Sequence, residues 1–289
     1  MNKIKIITDS CCSLSQEKLK QLDIDFVQMS FTVNNKNFNA YEHPIKDGQK
    51  FYDELAKSKN CSTSCVNPYT FSAIFEKYVK LGYYVVYIGI SSGMSATYKN
   101  AVVSAKEINT AFGRHVWVAD SLSGSYGIAL MLEYAVKLRN EGKTAEEIFE
   151  SIDKNRMNVF AVFVPSDLIF LNRSGRINRF VASIGTLLKV TPVITANDKG
   201  ELKLLAKCIG RKKAIKTIQD FILQKACLEN ERRIYIGHTG VKEDAERLAE
   251  FIKANTDIKD VVVDLIDYTM GCNCGPYTLA VFGKLNVER

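Results

Sequence analysis

Apolar residues recur along this chain with two alternating periods. Ile4–Thr8 is a short apolar run of strand length, and Ser15–Leu22 follows with helical spacing. Phe26–Val33 alternates apolar and polar residues and predicts one strand. Helical spacing returns over Phe51–Lys57 and over Tyr69–Leu81, with Phe71, Phe75 and Tyr78 as the apolar positions. Tyr83–Ile90 predicts a strand, Ser95–Ala111 a helix, Val116–Ala119 a strand, and Gly127–Asn140 a helix with Gly142 just past its end. Thr144 and Glu147 have capping-box spacing for a further helix ending near Asn158.

This alternation predicts an α/β fold, with residues 1–158 forming an N-terminal doubly wound, mostly parallel sheet domain. After Phe160 the pattern changes. Val190–Thr195 and Leu202–Cys208 flank the turn sequence Asn197-Asp198-Lys199-Gly200 and predict an antiparallel hairpin. A helix from Lys212, a strand at Arg233–Gly237, a helix at Lys242–Ala254 and a strand at Val261–Ile266 complete a C-terminal α+β domain over residues 159–289.

With 46% hydrophobic and 25% charged residues and five prolines, the composition is that of a globular protein. The segment Met1–Ser10 has no apolar h-region of a secretory signal. The longest uncharged stretch, Leu81–Tyr98, is interrupted by Gly82, Gly89 and Gly93, unlike a membrane span. Both features lead to the expectation of a soluble, cytoplasmic protein. None of the eight cysteines forms a C-x-x-C pair, so packed, reduced thiols are expected rather than a metal or redox centre.

The net charge of +7 is uneven, with nine basic against three acidic residues from Lys203 to Arg233 and a trio at Arg173, Arg176 and Arg179. No aromatic–basic interleaving or nucleic-acid motif accompanies them. A solvated face or a docking surface is the expected use.

Two readings compete at Gly89-Ile90-Ser91-Ser92-Gly93. Between a predicted strand and helix, this G-x-S-x-G has the context of a nucleophile elbow, with Asp120 and His238 following in the chain order of a serine hydrolase. Alternatively, Ser91, Ser92, Ser95 and Thr97 open a helix whose free N–H groups favour an anion, and Ser62-Thr63-Ser64 precede another helix near Pro68. Plain helix capping accounts for the same hydroxyls. Spacing alone leaves these open.

Several motifs in fixed order resemble the DegV family along the whole chain. Ile7-Thr8-Asp9-Ser10 matches its opening. Thr63-Ser64-Cys65-Val66-Asn67-Pro68 resembles its T-S-Q-P-S-P segment, and Ser91-Ser92-Gly93-Met94-Ser95-Ala96-Thr97-Tyr98 its S-S-G-L-S-G-T-Y. Asp120-Ser121, Leu171-Asn172-Arg173-Ser174-Gly175-Arg176-Ile177, Leu187-Leu188-Lys189-Val190-Thr191-Pro192-Val193 and Gly210-Arg211-Lys212-Lys213-Ala214 also fit.

The resemblance implies an EDD fold of two domains burying a long-chain fatty acid, such as palmitate, between them. It implies a carrier in phospholipid metabolism, not an enzyme, that presents the carboxylate to a fatty acid kinase. No cofactor is expected beyond the lipid, and no G-x-x-x-x-G-K-[ST] loop is present to hold a nucleotide. By resemblance the carboxylate is held by Thr63 and Ser95, with Ser64, Ser92 and Thr97 beside them; Arg173 and Arg176 are expected to face the partner rather than the ligand. Asn273, in Gly271-Cys272-Asn273-Cys274-Gly275-Pro276, stands where the family carries a histidine. A serine hydrolase and a cysteine-based metal or redox protein remain the alternatives.

Overall fold

A computed structural model describes residues 3–177, 190–225 and 233–285. Arg179, Leu187-Leu188-Lys189 and Cys227 lie outside these residues. Strands β1 (Lys3–Asp9), β2 (Ile24–Val27), β6 (Tyr83–Gly89) and β7 (Val116–Asp120) form a four-stranded parallel sheet in the order β2-β1-β6-β7. Helices α3 (Pro68–Lys80) and α4 (Thr97–Phe112) cover one face, and α5 (Tyr126–Asn140) and α6 (Ala145–Asn155) the other. The predicted capping box is formed: Thr144 Oγ1 accepts from Glu147 N, and Glu147 Oε2 accepts from Thr144 N. The α-helix it starts ends at Asn155, and a 3-10 turn continues to Asn158.

The run Phe26–Val33 is not one strand. It breaks at Gln28-Met29, where Met29 N donates to Ser10 Oγ at 3.0 Å and the Met29 side chain packs on Cys11. Alternation cannot register such a break, because both halves keep the same period. Beyond it, β3 (Ser30–Val33) leaves the parallel sheet and joins β4 (Lys36–Asn39) and β5 (Cys61–Ser64) in a small antiparallel sheet. Asn34 and Asn35 close the β3–β4 hairpin with positive φ at both positions, a backbone that asparagine tolerates.

Strand β8 (Val159–Val164) opens a six-stranded sheet of order β10-β9-β8-β13-β11-β12. Its other members are β9 (Thr191–Ala196), β10 (Leu202–Cys208), β11 (Arg233–His238), β12 (Asp260–Leu265) and β13 (Leu279–Lys284). The expected β9–β10 hairpin is present, and only the β11–β12 pair is parallel. On β8 and β13 alternate residues serve two cores. Phe160, Val162, Val164, Leu279 and Val281 pack beneath α8 (Arg211–Lys225) and α9 (Lys242–Asn255). Ala161, Phe163, Ala280 and Phe282 face the parallel-sheet side.

Helix α5 lies between the two sheets, which explains why ten of its fifteen residues are buried all round its circumference. Tyr126 stacks on Tyr235 at 4.7 Å between centroids, and Glu133 Oε1 accepts from Arg233 and Tyr235, each at 2.7 Å. The β9–β10 turn makes a second joint. Ser91 Oγ donates to the Gly200 carbonyl at 2.8 Å, and a Cβ on Gly93 would stand 2.6 Å from the Lys199 carbonyl oxygen. Gly200 itself has φ +68, and a Cβ there would meet Ser91 Oγ at 2.1 Å and Leu122 Cα at 2.8 Å. Only glycine fits both requirements.

A third link comes from the far end of the chain. Helix α10 (Tyr268–Cys274) packs on β3 and β5, burying Cys272 with Phe31, Phe51, Tyr52, Leu55 and Phe170. Helix α2 (Gly48–Ala56) supplies three of those rings and aliphatic groups, and Tyr268 stacks on Phe51 at 3.8 Å.

Candidate functional site

In the parallel sheet the chain steps to one side from β1 to β2 and to the other from β6 to β7, so the loops after β1 and β6 diverge. Ligands of open α/β sheets bind at such a point. One buried carboxylate ties the two loops together. Asp9 Oδ2 accepts from Tyr87 Oη at 2.6 Å and from Ile90 N at 2.8 Å, while Oδ1 accepts from Cys11 N at 2.9 Å. Burial raises the Asp9 pKa, against the lowering effect of those donors. Asp120 does similar work after β7, accepting from Ser92 N and Leu122 N, both at 3.1 Å.

The β6–α4 loop thus held lines a surface groove of about 390 Å³ with Ser92, Ser95, Arg176, Glu201, Met94 and Leu202 among its walls. Met94 and Leu202 also line a second cavity, of about 60 Å³, on its inner side. The rest of that inner wall comes from the six-stranded sheet, from the loop after β7 and from the segment around α10. Phe163, Ala280 and Phe282 belong to the six-stranded sheet, and Ile266, Met270 and Cys274 to the segment around α10. A polar mouth therefore meets an apolar interior across two side chains.

The candidate residues fall into distinct places. Ser95 is buried; its Oγ donates to Thr97 Oγ1 at 3.0 Å and accepts from Thr97 N at 3.2 Å. The expected helix start at Ser95 is accordingly moved to Thr97, because Ser95 folds back over the first turn instead of entering it. Thr97 is fully buried and accepts from Val66 N at 3.3 Å, which fastens the end of the β5 segment to α4. Thr63 meets Asn273, whose Nδ2 donates to Thr63 Oγ1 at 3.3 Å and to the Thr269 carbonyl at 2.9 Å. Asn273 lies inside α10, not in a tight turn. Ser64 is exposed on the strand face opposite Thr63, away from Asn273.

The two arginines part company. Arg173 is exposed, with its guanidinium 5.6 Å from the Phe170 ring centroid. Arg176 is half-buried in the groove wall and donates through Nε to the Met94 carbonyl at 3.2 Å, with Nη1 on the Ser174 carbonyl.

The nucleophile elbow does not assemble. Ser91 is fully buried and its hydroxyl proton is given to Gly200, while His238 Nδ1 accepts from Gly240 N in its own loop. Among the described residues no His, Cys, Asp and Glu cluster has metal-holding geometry. Five of the described cysteines are buried, Cys61 is half-buried and Cys65 exposed. Burial pushes the Cys274 thiol up to about 12, so it stays protonated in the inner wall.

Sequence reasoning passed over the inner wall. Met94 was legible as an apolar residue in a hydroxyl-rich loop, but Leu202, Met270 and Cys274 carry no local mark of their role. Asp267 is another such residue. It caps α10, accepting from Met270 N at 2.9 Å and Ser13 Oγ at 2.7 Å, and Ser13 Oγ lies 2.8 Å from Ser125 Oγ on the cavity wall. Burial raises its pKa to about 7.

Comparison with known proteins agrees with this architecture. A family model described as "Uncharacterised protein, DegV family" matches residues 3–284. DegV domain-containing protein CPE0026 of Clostridium perfringens is 33% identical over 283 residues, covering 98% of this chain and 97% of its own. The chain belongs to the DegV family. Among solved structures, the fatty acid binding DegV family protein SAG1342 of Streptococcus agalactiae aligns with a TM-score of 0.88 at 22% identity, over 98% of this chain and 99% of that one. A DegV family protein of Eubacterium eligens loaded with heptadecanoic acid aligns at 0.82 and 22% identity, over 97% and 99%. These likenesses establish the fold. Among the described residues no helix is long and apolar enough to cross a membrane.

Proposed function

We propose that this chain is a carrier that binds a long-chain fatty acid with its carboxylate in the mouth and its acyl chain in the apolar seam behind Met94 and Leu202. The observation that carries this reading is a hydroxyl-lined groove and an apolar cavity that share Met94 and Leu202 as a common wall. Solved relatives of the same fold are described as fatty acid binding. Ser95, on turning its hydroxyl away from Thr97, and the Thr63–Asn273 pair, on opening its mutual bond, donate to the carboxylate, and Arg176 in the groove wall offers it a positive charge. Arg173, exposed beside the mouth, faces a partner. That partner is a fatty acid kinase to which the bound carboxylate is presented, in a cytoplasmic route to phospholipid.

Magnitudes support an acyl ligand. About fifteen methylenes at about 0.8 kcal/mol each give roughly 12 kcal/mol of gross transfer energy. Association and ordering take back several kcal/mol, leaving tight but reversible binding. A cavity of about 60 Å³ is far below the ~300–1,000 Å³ of usual ligand pockets, so loading the chain requires the wall to part. Met94 and Met270 suit that task, since an unbranched thioether swings through three torsions at little cost.

Denaturing extraction of the purified protein followed by lipid mass spectrometry tests the reading. About one fatty acid per chain is expected. Lipid-free protein that also fails to take up added palmitate would sink it.

A further inference from the structure

We infer that Cys61 and Cys272 form a peroxide-responsive dithiol site that closes into a disulfide and locks β5 to α10 beside the proposed headgroup pair. The functional consequence rests on the carrier reading; the chemistry does not.

The geometry starts on β5. Cys61 and Thr63 are two residues apart on one strand and share a face. On α10 they meet consecutive residues: Cys61 Sγ donates to the Cys272 carbonyl at 3.2 Å, and Thr63 bonds Asn273. Cys61 also packs against the apolar cluster that holds the Cys272 side chain. Their environments differ in the way a sensor pair requires. Cys61 is half-buried and reachable from solvent, whereas Cys272 is 3% exposed among Phe31, Phe51 and Phe170. Burial and the neighbouring Cys61 raise the Cys272 pKa, which keeps Cys272 a thiol until its neighbour is oxidised. Close packing of two inert thiols would explain the contact, but would not need one of them at the surface.

The reaction balances with a peroxide as oxidant. Cys61 sulfur attacks a peroxide oxygen, the O–O bond breaks, and Cys61 becomes a sulfenic acid as one water leaves. Cys272 sulfur then attacks Cys61 sulfur, the S–O bond breaks, and the hydroxide departs with the Cys272 proton as a second water. Two thiols lose two electrons, and hydrogen peroxide becomes two waters. The bond joins residues 211 apart in sequence and fixes the rung next to Thr63–Asn273. With that rung fixed, the mouth resists opening, so a bound fatty acid is held longer.

The test uses the full chain and hydrogen peroxide. Non-reducing digestion and mass spectrometry should show Cys61 and Cys272 peptides joined with loss of two hydrogens, reversed by a dithiol reductant. The link should vanish in Cys61→Ser and in Cys272→Ser and persist in Cys65→Ser, whose thiol is the exposed competitor. Hydrogen exchange should slow at amides 61–64 and 268–274 after oxidation, and release of preloaded palmitate should slow by at least about fivefold in the parent but not in Cys61→Ser. Overoxidation of Cys61 to the sulfinic acid without a link overturns the inference, as does a link that leaves exchange at those amides unchanged. A protein that cross-links and rigidifies yet binds no palmitate refutes the carrier reading and leaves the dithiol site standing.

Discussion

The two sides of the seam are built from opposite chemistry. On the parallel-sheet side the loops after β1, β6 and β7 are held by buried polar groups, with Asp9, Asp120, Ser91 and Thr97 each donating or accepting inside the fold. On the six-stranded side the wall is Ala161, Phe163, Ala280 and Phe282, on the face turned toward α5 and the parallel sheet, while the other face of those strands packs under helices. A loop that must hold a charged headgroup needs donors fixed in place, and buried hydrogen bonds fix them. A surface that must part and reclose is better made of groups without directional bonds. The difference assigns headgroup work to one sheet and chain work to the other.

The largest expected effect concerns the polar side and pH. Asp267 has a folded pKa of about 7 against an ordinary value of 3.8. The folded state therefore binds the extra proton between those values, and stability falls as pH rises from about 4 to 7, then levels. Asp267→Asn keeps the cap without the proton, so its stability should gain on the parent by about 1.4 kcal/mol per pH unit, on the order of 4 kcal/mol over the window. Urea unfolding at several pH values measures the gap; parallel profiles would show that Asp267 is not the buried acid described.

The joint between the sides comes next. Gly200→Ala should cost about 3 kcal/mol, combining left-handed backbone with the contact against Leu122. An unchanged denaturation midpoint would mean the clasp is not rigid. On the apolar side, Ala280→Leu fills the seam, and palmitate affinity should drop by about 2 kcal/mol with the headgroup site intact. Equal affinity would place the acyl chain elsewhere. The smallest effects belong to single donors: Thr63→Ala and Ser95→Ala should each weaken binding by about 1–2 kcal/mol without unfolding the protein. If calorimetry finds both unaltered, the Thr63 and Ser95 hydroxyls serve the fold alone.

Helices and strands with strong periodicity were readable residue by residue. Thr144 and Glu147 announced their helix, and the hairpin around Asn197–Gly200 announced its turn, because both signals are local. Strands β4, β5, β8 and β13 were not anticipated. Lys36–Asn39 and Cys61–Ser64 are too short and polar to show a period, and their pairing with β3 supplies what their composition lacks. Ser64 was drawn into the site by its neighbour Thr63, although adjacent strand residues point to opposite faces. Arg173 and Arg176, three apart in sequence, were assigned together and ended in different surroundings.

By itself the sequence determined the alternation of elements, the hydroxyl-rich loops at two strand ends and the family to which their order points, since all of these rest on interactions within a few residues. Tertiary structure alone decided that Asn273 touches Thr63 across 210 residues, that Ser91 surrenders its proton to Gly200, and that Met94 and Leu202 divide a polar mouth from an apolar seam. Those contacts join segments whose spacing along the chain carries no period. They exist because α5, the β9–β10 turn and α10 each bury apolar surface against elements far from them in sequence.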